Sequence, residues 1–170
     1  MKRKNTVRIL LLNKEHKILL MRVVDPSTTG LNKKPRNAFW CTIGGKIEID
    51  ETLQQAAYRE LFEETGLGAD DVELGPVVWH GVHQMIISGE HVELDEKFIV
   101  AHLKSDKQLY QDNFTENEKS VVTHTQWLGL DEILTHQEQI YPAIFKTHLA
   151  DIIAGKFPKE PLSVDLSLQP

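Results

Sequence analysis

Between Gly45 and Leu67 the chain reads G-KIEID-E-TLQQAAY-RE-L-F-EE-T-G-L, and this stretch constrains the fold more than any other. Leu53, Ala56, Ala57 and Leu61 recur at helical spacing and predict an amphipathic helix docked on a core. Positions three and four apart are helical neighbours, so Glu60, Glu63 and Glu64 are expected to converge on a face that looks out of that core. Carboxylates so placed repel one another unless a cation sits among them, and hard oxygen donors suit Mg²⁺ or Mn²⁺. Asp50 and Glu51 precede the helix, where an Asp caps free N–H groups and acids complement the dipole. Gly66 supplies a left-handed stop. Arg59 lies four residues before Glu63 and eight after Glu51, so it is expected to orient carboxylates rather than bind metal. The plainer alternative is a solvated acidic face held by ion pairs, as most charge runs are.

The segment matches every specified position of the Nudix signature: Gly, five residues, Glu, seven residues, Arg-Glu, an aliphatic, any residue, Glu-Glu, any residue, Gly, an aliphatic. Seven fixed residue types in register have chance odds on the order of one in 10⁸ to 10⁹. The chain therefore resembles the Nudix hydrolases, over residues 5 to 154. The resemblance implies an α/β fold, the Nudix-type α/β/α sandwich with a mixed β-sheet flanked by helices. It also implies that the carbonyl of Gly45 completes a metal shell made by Glu60, Glu63 and Glu64. The family's more usual loop has Pro before the double glycine and Gly before the first Glu of the signature, where this chain has Ile43 and Asp50.

Composition agrees with one globular domain, at 170 residues with 41% hydrophobic and 26% charged. A net charge of −6 argues against a general nucleic-acid or anionic-membrane binder. Phosphate ligands remain allowed, because metal ions and a few cationic side chains invert the field inside a cleft. The single cysteine, Cys41, forms no intrachain disulfide, is expected as a buried strand residue, and points to a reducing, cytoplasmic setting. Met-Lys-Arg-Lys starts like a leader, but the apolar stretch Ile9 to Leu12 is too short for one, and no later run spans a membrane.

Strands are expected over Val7–Leu12 and Lys17–Val24 as a hairpin, and over Phe39–Ile43 feeding a tight turn at Gly44-Gly45. Others are expected over Val72–His80, Val82–Ile87, Val92–Leu103 and Gln126–Gly129. Asp25 to Asn37 reads as a long loop, Asp131–His136 as a short helix, and Ile140–Ala154 as an amphipathic helix with Ile144, Phe145, Leu149, Ile152 and Ile153 inward. A single domain over 1–154 is followed by an extended tail over 155–170, with Pro158, Pro161 and Pro170, packed loosely if at all.

The resemblance implies a reaction in which water attacks a phosphoanhydride phosphorus of a nucleoside diphosphate-linked substrate, with bound metal neutralising the phosphoryl oxygens and acidifying the water. Glu63 or Glu64 ligates or holds the water, assisted by Arg59. Thr115-Glu116-Asn117-Glu118-Lys119 resembles a T-x-x-E-R segment that some family members carry ahead of a tryptophan strand, here Trp127, which favours Glu118 as a further acid from a loop. The alternative for Glu118 is a surface acid. Trp40, Trp79, Tyr110 and Phe114 are candidates to stack on a base, with core packing the alternative. Arg22, Lys33, Lys34 and Arg36 are candidates for phosphate contact. His80 and His83 read as structural. The motifs of ADP-ribose, diadenosine polyphosphate, NADH and coenzyme A hydrolases are missing, which leaves a nucleoside di- or triphosphate or a nucleotide sugar as substrate. A homodimer is compatible with this reading. Two other classes are weighed: a sensing or scaffold domain without catalysis, and a prenyl-diphosphate isomerase, for which Cys41 is the only candidate thiol.

Overall fold

The computed structural model describes residues 1–111 and 113–167. In chain order these form β1 (Lys2–Leu12), β2 (Ile18–Val23), β3 (Thr28–Thr29), β4 (Phe39–Lys46), α1 (Leu53–Thr65), β5 (Val72–Ile87) and β6 (Glu90–Leu103). There follow α2 (Glu116–Val121), β7 (Val122–Leu128), α3 (Leu130–Leu134), β8 (Gln139–Ile140), α4 (Phe145–Ile153) and β9 (Leu162–Ser163). The sheet runs β3-β5-β6-β1-β2-β4-β8, with β7 on β2 and β9 on β5.

The central strand β1 is parallel to β6 from Lys2 opposite Val92 to Leu12 opposite His102. Side chains alternate across a strand, so β1 serves two cores. Val7, Ile9 and Leu11 pack with Ala56, Ala57 and Leu61 of α1. Leu10 and Leu12 join Trp79, Phe98 and, from α4, Phe145, Leu149 and Ile152. A strand covered on both faces needs an almost unbroken apolar run, which Ile9–Leu12 provides. The result is the expected α/β/α sandwich, a mixed sheet between α1 and α4.

Several local expectations change. Gly44 and Gly45 lie within β4, because that strand changes partner midway: Phe39–Thr42 pairs with β2 and Ile43–Lys46 with β1. The hairpin at Asn13–His16 closes only with Leu12 opposite Ile18, after which β2 leaves for β4 and β7. The two strands expected before Ile87 are one, β5, whose register shifts fall between Leu74 and Trp79 while Gly81 stays paired opposite Glu96. The loop 25–37 contributes β3 to the edge beside β5. The strand before Gly129 begins earlier, at Val122. The last helix starts at Phe145 rather than Ile140, since Ile140 is drawn into β8 opposite Trp40 and Pro142 disfavours helix in the residue before it.

The segment after Gly155 is also better packed than its composition suggests. Val164 donates its N–H to the carbonyl of His80 at 2.9 Å, and Val164 and Leu166 are buried in the α4-side core. Gly81 makes room for them: a Cβ there would stand 2.6 Å from the Leu166 side chain and 2.7 Å from the Val164 carbonyl. Pro170 lies outside the described residues. Leu166→Ala is expected to cost about 2–4 kcal/mol in urea unfolding, and a loss under about 1 kcal/mol would show that this strap is no part of the core.

Candidate metal centre and its cleft

The helix that carries the signature is capped by Thr52, whose side chain accepts from Gln55 N at 3.1 Å while Gln55 returns the bond at 2.8 Å. Neither Asp50 nor Glu51 caps it. Asp50 takes a left-handed conformation at φ 68, and Glu51 turns to Arg59. Gly66 ends the helix in the left-handed region, as expected. Ala56, Glu60 and Glu64 form one i,i+4 row beside Ala57 and Leu61, so docking the apolar stripe buries both glutamates, at 5% and 2% exposure. The carboxylate face thus does not look out of the core as expected.

Glu64 Oε2 accepts from Gly44 N at 2.7 Å. A Cβ on Gly45 would fall inside the Glu60 carboxylate, which explains why glycine stands there. Arg59 donates to Glu60 Oε1 at 2.6 Å, to both oxygens of Glu51 at 2.8 and 2.9 Å, and to the carbonyl of Lys46 at 2.8 Å. It ties strand, loop and helix around the acids, within the reach its spacing suggested. The Arg59 bond pulls the Glu51 carboxyl down to about 2.

Glu118 completes the group. It sits in α2 rather than in a loop, and one ligand oxygen from each of Glu60, Glu64 and Glu118 lies within 4.8 Å of the others. Its Oε2 is spent on a capping box, accepting from Thr115 N at 2.6 Å. Glu63 is not one of the three: it falls on the helical row of Arg59, half-exposed, with Oε2 3.6 Å from Arg59 Nη1. Burial raises Glu60 and raises Glu64 further, with Glu60 adding repulsion to Glu64. Buried acids with a single guanidinium among them need a proton or a cation, and an all-oxygen donor set fits Mg²⁺ or Mn²⁺.

Across β4, on the α4 side of the sheet, lies a polar cluster that sequence reasoning missed. Glu96 is fully buried and accepts from Arg8 Nε at 2.8 Å and from Tyr141 OH at 2.8 Å. Burial opposes its charge, yet Arg8 holds it below the usual carboxylate range. Burial also lowers His83, which lies beside Tyr141. The available signal was charge at inward positions of otherwise apolar strands, Arg8 between Thr6 and Leu10 and Glu96 before Phe98.

The expected substrate residues divide. Trp79 is fully buried and packs edge-on against Phe145, which leaves it to the core. Trp40 and Arg22 both bind Glu138, the indole at 3.1 Å and the guanidinium through Nε and Nη2 at 2.8 and 3.0 Å. Arg36 lies 4.0 Å over the Phe39 ring, has a buried Nη2 with no partner among the described residues, and lines a groove of about 640 Å³ with Lys34, His136, Glu138 and Lys146. Phe114 is buried in the α1-side core, and Tyr110 packs against Gly66.

Compared with known proteins, residues 2–147 match the NUDIX domain. The chain is 33% identical over 79 residues to an oxidized purine nucleoside triphosphate hydrolase of Danio rerio, covering 44% of this chain and 51% of that one. It is 33% identical over 97 residues to phosphatase NudJ of Escherichia coli, covering 57% and 56%. The chain thus spans about half the length of the curated relatives it matches. A dihydroneopterin triphosphate pyrophosphohydrolase from E. coli shares the fold, with TM-score 0.62 at 17% identity over 91% of this chain and 99% of that one. With an unbroken signature that supplies two of the three clustered acids and a domain match across most of its length, the chain belongs to the Nudix family.

Proposed function

We propose that the chain is a metal-dependent hydrolase that cuts a phosphoanhydride in a nucleoside diphosphate-linked substrate, either a nucleoside di- or triphosphate or a nucleotide sugar. The observation that carries this reading is the meeting of Glu118 with Glu60 and Glu64, since it supplies a third carboxylate from a separate element. Similarity to relatives named for nucleoside triphosphate and phosphatase activities supports the substrate class. Against the isomerase, Cys41 is buried, and burial pushes its thiol up to about 11, far from a nucleophile.

Glu60 and Glu64 would hold Mg²⁺ or Mn²⁺, to which the family resemblance adds the carbonyl of Gly45. Bound there, the ion supplies neutralisation of phosphoryl oxygens and acidification of water. Arg59 fixes the Glu60 carboxylate. Glu118 keeps one oxygen on its cap and has the other to take the proton of the attacking water. Arg36, on its Phe39 platform and in the lining of the groove beside Glu138, is the candidate for a substrate oxygen. The direct test is a panel of nucleotides and nucleotide sugars with Mg²⁺ or Mn²⁺, products resolved by ion exchange; no hydrolysis anywhere in the panel would defeat the reading.

Glu64→Gln is expected to lower turnover about 10²–10⁴-fold with folding intact. Glu118→Gln is expected to lower kcat at least about tenfold without moving the melting temperature, because Gln also closes a capping box. Glu63→Gln, outside the trio, should lose less than Glu64→Gln; steady-state kinetics on the three variants decide the order.

Metal binding carries a pH signature. Because folding raises Glu60 and Glu64, the stability they contribute is full below the ordinary carboxylate range and is lost as pH rises through their raised values. His83, lowered by burial, acts in the other direction as pH falls through the ordinary imidazole range, so the difference with and without metal is the clean measurement. The rise in melting temperature given by Mg²⁺ over EDTA should be larger near about pH 8 than near about pH 5.5, and should largely vanish in Glu64→Gln. An increment independent of pH would contradict the assignment.

A further inference from the structure

We propose that Arg8 is a phosphate-binding residue of the cleft, held by buried Glu96 so that its free N–H donors meet the phosphoryl group next to the one over Glu60, Glu64 and Glu118. The inference rests on the diphosphate reading above and adds a residue that the signature does not contain.

Arg8 on β1 stands opposite Gly44 on β4, and Gly44 N is the donor that holds Glu64. The backbone of Gly44 therefore stands between the side of the sheet that carries Arg8 and the acid that Gly44 N holds. Arg8 spends Nε alone on Glu96, at 2.8 Å. A guanidinium has five N–H donors, and neither terminal nitrogen of Arg8 has a protein acceptor among the described residues. The Arg8 side chain keeps 22% exposure where Glu96 has none, so the fork reaches solvent while its anchor does not. The anchor is itself fixed, because Tyr141 OH donates to the second oxygen of Glu96 at 2.8 Å. A planar fork held at its base, free at its tip and one glycine backbone from the acid cluster suits bidentate contact with a phosphoryl group.

The test is calorimetric titration with methylenediphosphonate and Mg²⁺, a diphosphate probe that carries no base and resists hydrolysis. Wild type is expected to bind, Arg8→Gln to bind at least about tenfold more weakly, and Arg8→Lys to fall between, since lysine keeps the charge and loses the fork. Arg8→Gln strands a buried carboxylate, so Arg8→Gln/Glu96→Gln serves as the second variant, with both charges gone and bulk retained. Recovery of thermal stability in the double variant without recovery of binding supports the proposal. Binding by the double variant within about twofold of wild type overturns it and leaves Arg8 a structural partner of Glu96. If the double variant does not fold, Arg8→Lys decides: affinity equal to wild type overturns the proposal. Failure of the wild type to bind the probe overturns the diphosphate reading itself, a result distinct from loss of the Arg8 assignment alone.

Discussion

Burial of Glu60 and Glu64 against the sheet is the constraint around which the rest is arranged. Two carboxylates side by side in a low-dielectric setting repel, and each has lost its water. Apolar contact between Ala56, Ala57 and Leu61 of α1 and Val7 and Ile9 of β1 opposes that cost and keeps the helix in place. Arg59 compensates one charge and the backbone N–H of Gly44 solvates the other. What is left over is a deficit of positive charge at one point. A cation would fill that deficit, which exists because packing overrides electrostatics locally.

The second organising feature is the change of partner along β4. Its first half belongs with β2 and its second with β1, so the glycine pair sits where the strand passes between neighbours. One face of that junction receives the helix glutamates. The other opens on Arg8, Glu96 and Tyr141. Residues apart in both sequence and fold layer therefore meet through a few atoms of glycine backbone.

How much was legible in the sequence follows the range of the interactions. The signature helix, its stop at Gly66 and the reach of Arg59 to Glu51 rest on contacts within a few turns, and pattern was enough. The cap was misplaced because Asp50, Glu51 and Thr52 all suit the role locally; a left-handed Asp50 decides it. Glu63 and Glu60 look equivalent on the helix, and only the direction of docking separates a buried row from an exposed one. Trp79 and Trp40 are alike in sequence and both lie in the α4-side core, yet only the Trp40 indole reaches a carboxylate, Glu138. Partners 88 residues apart, such as Arg8 and Glu96, leave no periodic trace.

Glu118 has two tasks, closing the first turn of α2 with Thr115 and facing the acid cluster. A helix of six residues does not hold itself together in isolation. Two acids of the site are thus cast in α1 against the sheet, while the third is carried by a short helix held between Phe114 in the α1-side core and β7 on the sheet. Thr115 N holds one oxygen of Glu118, so the aim of the third carboxylate is set from a residue remote from the signature.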